Sequence, residues 1–261
     1  MYSKQEQCLK EMLEMQESLN VYTNGLDYKD TKKCAKTGKS INYRRCAWIE
    51  TAEFVDSFDW KHWKHGKDDI ENAKTELVDI WHFLMSAELM ENRGVSDDTL
   101  KMTVDIIESS KTMSKGVNIY AVAEFLVKDL LNQEISIFPH ESRGEILRTF
   151  FELCHLTGLS FDELYQRYII KNTLNKFRQD NGYTDGSYIK IWHNGKEDNA
   201  FAVMFADAIN ELNKDNLYSA MDYFYTSIVK PHNGSFSGDL NTLGKSIKEN
   251  IGVNLELSLK G

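Results

Sequence analysis

Proline is almost absent: Pro139 and Pro231 are the only two, and glycine supplies just 15 of the 261 residues. So few breakers among long periodic stretches of Leu, Glu, Lys, Ala and Met argue for a helical chain. Cysteine is scarce as well. Cys8, Cys34, Cys46 and Cys154 form no CxxC pair and fall far short of a disulfide scaffold, so reduced thiols are expected. No apolar run approaches the roughly 20 residues needed to cross a bilayer. The opening MYSKQEQCLKEMLEM is too charged for a secretory signal. These absences predict a soluble, cytoplasmic protein with no membrane partner. Basic charge is also in deficit, with a formal net charge of -9. That balance argues against a non-specific nucleic-acid binder, which needs excess Lys and Arg to displace counterions from phosphates. A local basic pocket for a small anion remains compatible with it.

What is present reads as an all-α chain. Leu9, Met12, Leu13, Met15 and Leu19 recur at mostly helical spacing over residues 5–21, and TNGLDYKDTKKCAKTGKS then supplies turn chemistry and a basic loop. Helices are predicted over 41–58 and 70–92, joined by the aromatic and basic DWKHWKHGKDD, and again over 98–115, 118–133, 144–158 and 160–182. Ser96 caps the first of the later four, and Ser160 with Glu163 makes a capping-box signature for the last. Residues 183–199 read as loop and 200–229 as helix. The expected organisation is one all-helical catalytic domain over 1–230, with a rigid core and a helical lobe around 95–200. A partly ordered or weakly helical tail over 231–261 follows.

One helix carries an apparent flaw. In RRCAWIETAEFVDSF, Glu50 and Glu53 lie three residues apart beside Ile49, Ala52, Phe54 and Val55. Residues at that spacing project about 60° apart, one above the other. Glu76 and Asp79 in ENAKTELVDIWHF repeat the arrangement, with Ala73, Ile80 and Phe83 around them. A solvated acidic face costs little, about 0.2–0.5 kcal/mol per like-charge pair. Four carboxylates facing an interior would cost several kcal/mol per ion unless a cation or protonation compensates. An all-oxygen donor set points to hard Mg2+, with Mn2+ as a substitute, rather than zinc. Such a cage suits metal-assisted hydrolysis of a phosphoanhydride. A di-iron bundle is the nearest rival, but its paired Glu-x-x-His motifs are missing.

A second polar group follows. Lys171, Asn175 and Arg178 recur at i, i+4, i+7, with Tyr183 and Lys190 just beyond. Point charge, amide and forked guanidinium together suit a phosphate chain. The plainer reading is a basic helix end facing its own dipole.

Taken together, RRCAWIETAEFVDSFDWKHWK, ENAKTELVDIWHFLMS, KNTLNKFRQDNGYTDGSY with NGKEDN, and LNVYTNGL near the start resemble the dimeric all-α dUTPases over residues 10–199. The wider group is the all-α NTP pyrophosphatases, including MazG-type enzymes. The resemblance implies a helical bundle with a central four-helix metal-binding core and a homodimer. It implies hydrolysis of dUTP to dUMP and pyrophosphate, and of dUDP to dUMP and phosphate. It maps the metal ligands onto Glu50, Glu53, Glu76 and Asp79, with Glu53 also handling the attacking water. Lys171, Asn175, Arg178, Tyr183 and Lys190 match the phosphate and sugar segment, and Lys196 and Asp198 are expected to close over the nucleotide. Lys61 and Lys64 are candidates to approach phosphates.

Uracil offers two carbonyl acceptors and one N–H donor, which side-chain amides complement. Gln16, Asn20 and Asn24 fall where the resembling proteins read the base; ordinary helix surface and turn chemistry is their alternative. Trp60 covering the base and His82 contacting sugar or base compete with plain core packing. The other functions weighed are a house-cleaning pyrophosphatase for a different nucleotide and a non-catalytic helical interaction module.

Overall fold

The computed structural model describes residues 2–91, 95–112, 116–139, 144–193, 195–209 and 212–234, with Lys245 and Glu249. Most of the expected tail over 231–261 therefore lies outside the described residues. The chain divides into two compact units, Met1–Tyr168 and Ile169–Gly261.

In the first unit the helices are α1 (Lys4–Asn24), α2 (Tyr28–Thr31), α3 (Tyr43–Asp56), α4 (Ile70–Met90), α5 (Asp97–Ser110), α6 (Ile119–Leu131), α7 (Glu145–Leu156) and the start of α8 (Phe161–Asp180). Ser96 caps as read, its Oγ accepting from Thr99 N; Ser160 Oγ accepts from Glu163 N, the serine half of the expected box, while the Glu163 carboxylate binds Lys74 and Arg167. Helix α1 runs further than its apolar pattern and stops at Gly25, whose φ of 99° is open to glycine. α3 packs chiefly on α4, and α1 packs on α4 from its own side. Trp81 of α4 is fully buried and stacks on Phe150 of α7 with ring centroids 5.3 Å apart.

One buried cation ties α3 to its surroundings. Arg44 donates through Nε and Nη2 to Glu91 Oε1 at 3.1 and 2.8 Å, and through Nη1 and Nη2 to the carbonyls of Asn132 and Ile135. Breaking a buried pair strands the partner charge, so Arg44→Ala is expected to cost about 3–5 kcal/mol. Urea unfolding midpoints at constant m-value measure that loss; an unchanged midpoint rules it out.

In the second unit α8 continues, followed by β1 (Ile191–His193), β2 (Lys196–Glu197), α9 (Asp198–Ala208) and α10 (Lys214–Phe224). A π-helical turn, Tyr225–Val229, leads into α11 (Lys230–His232). The small antiparallel β1–β2 pair and the break after Ala208 are departures from the loop and the single helix expected there. Aromatic stacking explains the second core: Trp192 packs on Phe224, Phe201, Tyr225 and Phe177, all buried.

Candidate active site

Helix α3 buries Tyr43, Arg44, Ala47, Thr51 and Phe54. At about 100° per residue, Glu50 lies roughly 60° from the centre of that stripe and Glu53 roughly 120° from it. Glu50 is accordingly half-buried and Glu53 exposed, with Ile49 and Ala52 also open to solvent. The acidic pair of α3 thus sits at the edge of the buried arc instead of within it. On α4, Glu76 is buried and Asp79 half-buried. Carboxylate oxygens of Glu50, Glu76 and Asp79 come within 4.8 Å of one another. Glu53 is not in that group of three.

The loop between α3 and α4 orients the cluster. Asp69 N–H donates to the Ser57 carbonyl at 2.8 Å and its side chain caps α4. Asn72 then donates to Ser57 Oγ at 2.8 Å and to Glu76 Oε1 at 3.2 Å. An amide one turn before Glu76 is the sequence signal for this support, and it was missed. Support of this kind is worth 10–100-fold in metal affinity. Asn72→Leu is therefore expected to raise the half-saturating metal concentration by about 10-fold in a calorimetric titration.

Three hard oxygen donors that close, one of them buried, suit a divalent cation. When bound, the ion neutralises phosphate oxygens and polarises the reacting centre. Cys46, one turn before Glu50, is not in that group of three; burial and then the Glu50 charge push its thiol up.

Deeper in the first unit, α1 and α4 share a polar seam. Gln16 is saturated: its Nε2 donates to Asn20 Oδ1 and Ser86 Oγ, while its Oε1 meets His82 Nδ1 at 2.7 Å and accepts from Tyr168 Oη at 3.1 Å. Ser86 Oγ donates to Asn20 Oδ1 as well. With its oxygen so held, Asn20, 4% exposed, has its Nδ2 buried beside the Tyr28 phenol and closing no hydrogen bond of good geometry among the described residues. Burial pushes the nearby Tyr28 phenol up; its bond to Glu17 adds to the effect and the Asn20 amide opposes it. Asn24 donates to the Asn20 carbonyl and to Tyr43 Oη, both within the protein. His82 stacks on Tyr168 at 4.4 Å between centroids. Ser86, four residues after His82, was legible as a small polar residue on the same helix face; Tyr168 gave no local signal.

The 59–69 loop keeps Trp60, Trp63 and Lys64 exposed. Lys61 pairs with Asp56, holding that carboxyl below its usual range with help from Trp60 Nε1, which donates to it at 3.0 Å.

In the second unit Arg178 is buried and bound two-pronged to Asp198, with Nε on Oδ2 and Nη2 on Oδ1, each at 2.8 Å. Asp198 is fully buried. Tyr183 is exposed, Lys171 and Asn175 are half-buried, Lys190 pairs with Glu197 at 2.8 Å, and Lys196 is exposed.

A family model described as dUTPase matches residues 8–183, a span holding every one of these groups except Lys190, Lys196, Glu197 and Asp198. The chain belongs to the all-α dUTPase family. It is thus a dUTP diphosphatase, the family activity being dUTP hydrolysis with a divalent metal, and the three gathered carboxylates fit that chemistry. No curated protein matches the chain. Among the described residues of this dUTPase, no helix is long and apolar enough to cross a membrane.

Proposed function

We propose that the chain is a Mg2+-dependent enzyme that converts dUTP to dUMP and pyrophosphate, and dUDP to dUMP and phosphate. This keeps uracil out of DNA and supplies dUMP. The observation carrying the proposal is the convergence of Glu50, Glu76 and Asp79 in a chain of the dUTPase family. Those three carboxylates hold Mg2+, and Mn2+ can replace it. Glu53, exposed three residues beyond Glu50, is open to water, which favours its role as the base that orients and deprotonates the nucleophile. Attack at the β-phosphate accounts for use of both nucleotides, since dUDP keeps that phosphorus.

Lys171, Asn175, Arg178, Tyr183, Lys190 and Lys196 are the phosphate and sugar residues, with Lys61 and Lys64 as further cations. Base choice rests on Asn20, whose unbonded Nδ2 is a donor suited to a uracil carbonyl; Gln16 and Asn24 hold the seam in register, with His82 and Trp60 against the ring. A homodimer in the cytoplasm is the working form.

The test is anion-exchange analysis of products from dUTP and dUDP with Mg2+ and then with chelator. dUMP from both, abolished by chelator, is expected; no dUMP from either rules the proposal out. General bases contribute 10²–10⁴-fold. Glu53→Gln should therefore lower kcat by about 10²-fold while KM stays within about threefold. Equal losses in turnover and nucleotide affinity would remove the base role.

A further inference from the structure

The guanidinium of Arg178 has five N–H donors. Four are engaged: Nε on Asp198 Oδ2, Nη2 on Asp198 Oδ1 and Asn199 Oδ1, and Nη1 on Asn175 Oδ1 at 3.4 Å. One Nη1 donor remains among the described residues. It belongs to the edge beside Asn175, and the Tyr183 ring lies 5.8 Å from the guanidinium carbon. The forked edge that suits a phosphate is therefore spent inside the protein, and a single corner is left for an outside anion.

Asp198 is equally committed. Its Oδ1 accepts from Arg178 Nη2 and Asn199 N, and its Oδ2 from Arg178 Nε and Tyr188 Oη at 2.8 Å. A carboxylate has about four lone-pair sites, so none is left for a nucleotide. Asp198 does not close over the substrate as the sequence led us to expect. Burial works against the Arg178 charge, and the two-pronged bond to Asp198 more than restores it.

Elements beyond the matched span hold this pair. Asp198 opens α9, and Tyr188 stacks on Tyr225 of the π-helical turn at 5.2 Å, while Tyr225 Oη accepts from Ile189 N. A π-turn shifts side-chain register within a helix, and here it sets the ring that fixes the 188–189 backbone.

Resting on the proposed reaction, we propose that Asp198, braced by Tyr188, is the positioning residue of Arg178. By taking the Nε/Nη2 edge it presents Nη1, beside Asn175 and Tyr183, to the pyrophosphate portion of the substrate. The role is exerted only through Arg178, and that property is testable. Asp198→Asn should raise the inhibition constant of inorganic pyrophosphate and lower kcat/KM for dUTP, each by about 10- to 100-fold, with the inhibition constant of dUMP unchanged. Tyr188→Phe should move the same constants in the same direction by less, and Asp198→Glu should recover part of the loss.

In the Arg178→Met background, adding Asp198→Asn should change neither constant. Neither of these variants strands a guanidinium, and in Arg178→Met the buried Asp198 carboxylate keeps its bonds from Tyr188 Oη and Asn199 N, so the comparison stays informative if Asp198→Asn alone fails to fold. Losses that add across the cycle, or an equal rise in the dUMP and pyrophosphate constants, overturn the inference while leaving the reaction intact. Absence of dUMP from the unmodified protein overturns the proposed reaction, and this inference with it.

Discussion

Glu76→Gln is expected to act in two opposite directions, lowering turnover at limiting Mg2+ by about three decades and raising the melting temperature of the metal-free protein. Both follow from three carboxylates whose oxygens lie within 4.8 Å of one another. A unit charge at ~4 Å contributes about 4 kcal/mol at an effective dielectric near 20, and each 1.36 kcal/mol is tenfold. Counting only one charge on the cation, removing one carboxylate charge therefore weakens the hold by about 10³-fold, and by more for a divalent ion. Without the cation the same charge is a liability, since the three acids repel. The glutamine oxygen can still accept from Asn72, so the change is mainly electrostatic. In a chain of this size each kcal/mol of relieved repulsion is worth about 2–4 °C. Thermal melts in chelator and in Mg2+ measure both effects. A lower melting temperature in chelator, or a full Mg2+ stabilisation in the variant, contradicts the cage.

Asn20→Asp should undo base selection. The change keeps Oδ1, which accepts from Gln16 and Ser86, and replaces the unbonded Nδ2 donor with an acceptor. Facing a uracil carbonyl, that acceptor leaves two oxygens opposed; facing the amino group of cytosine, it gains a donor. An unmet buried polar group costs about 1–3 kcal/mol. The ratio of kcat/KM for dUTP over dCTP is therefore expected to fall about 100-fold. Competition assays with both nucleotides read the ratio directly. An unchanged ratio places base selection elsewhere.

Helix existence was legible in the sequence because spacing and caps act locally: Ser96 and Ser160 start their helices as read. The α3 carboxylates were legible in type but not in burial. Ile49 and Ala52 look like core beside Glu50 and Glu53, yet the stripe through Ala47, Thr51 and Phe54 is the buried one, and it carries the rings of Tyr43 and Phe54, which meet Phe83 and Phe58. The base seam was half legible. Gln16, Asn20 and Asn24 share a helix face, but that Gln16 is saturated depends on Tyr168, 152 residues away, which no window on α1 can show. Arg178 was expected to offer its fork to phosphate; its bond to Asp198, 20 residues on, follows from β1 and β2 folding back, and a two-residue strand has no periodicity to read.

Trp192 has a consequence of its own. Among residues 169–261 it is the only tryptophan, and it is fully buried, whereas Trp60 and Trp63 are exposed. A buried indole emits to the blue and resists a dissolved quencher, while hydrated ones yield to it. The difference between the spectra of the unmodified protein and Trp192→Phe is thus the optical signal of the second unit alone. In that difference, which removes Trp48, Trp60, Trp63 and the equally buried Trp81 alike, the melting of the aromatic cluster that braces the Arg178 clamp can be followed in real time without any attached label.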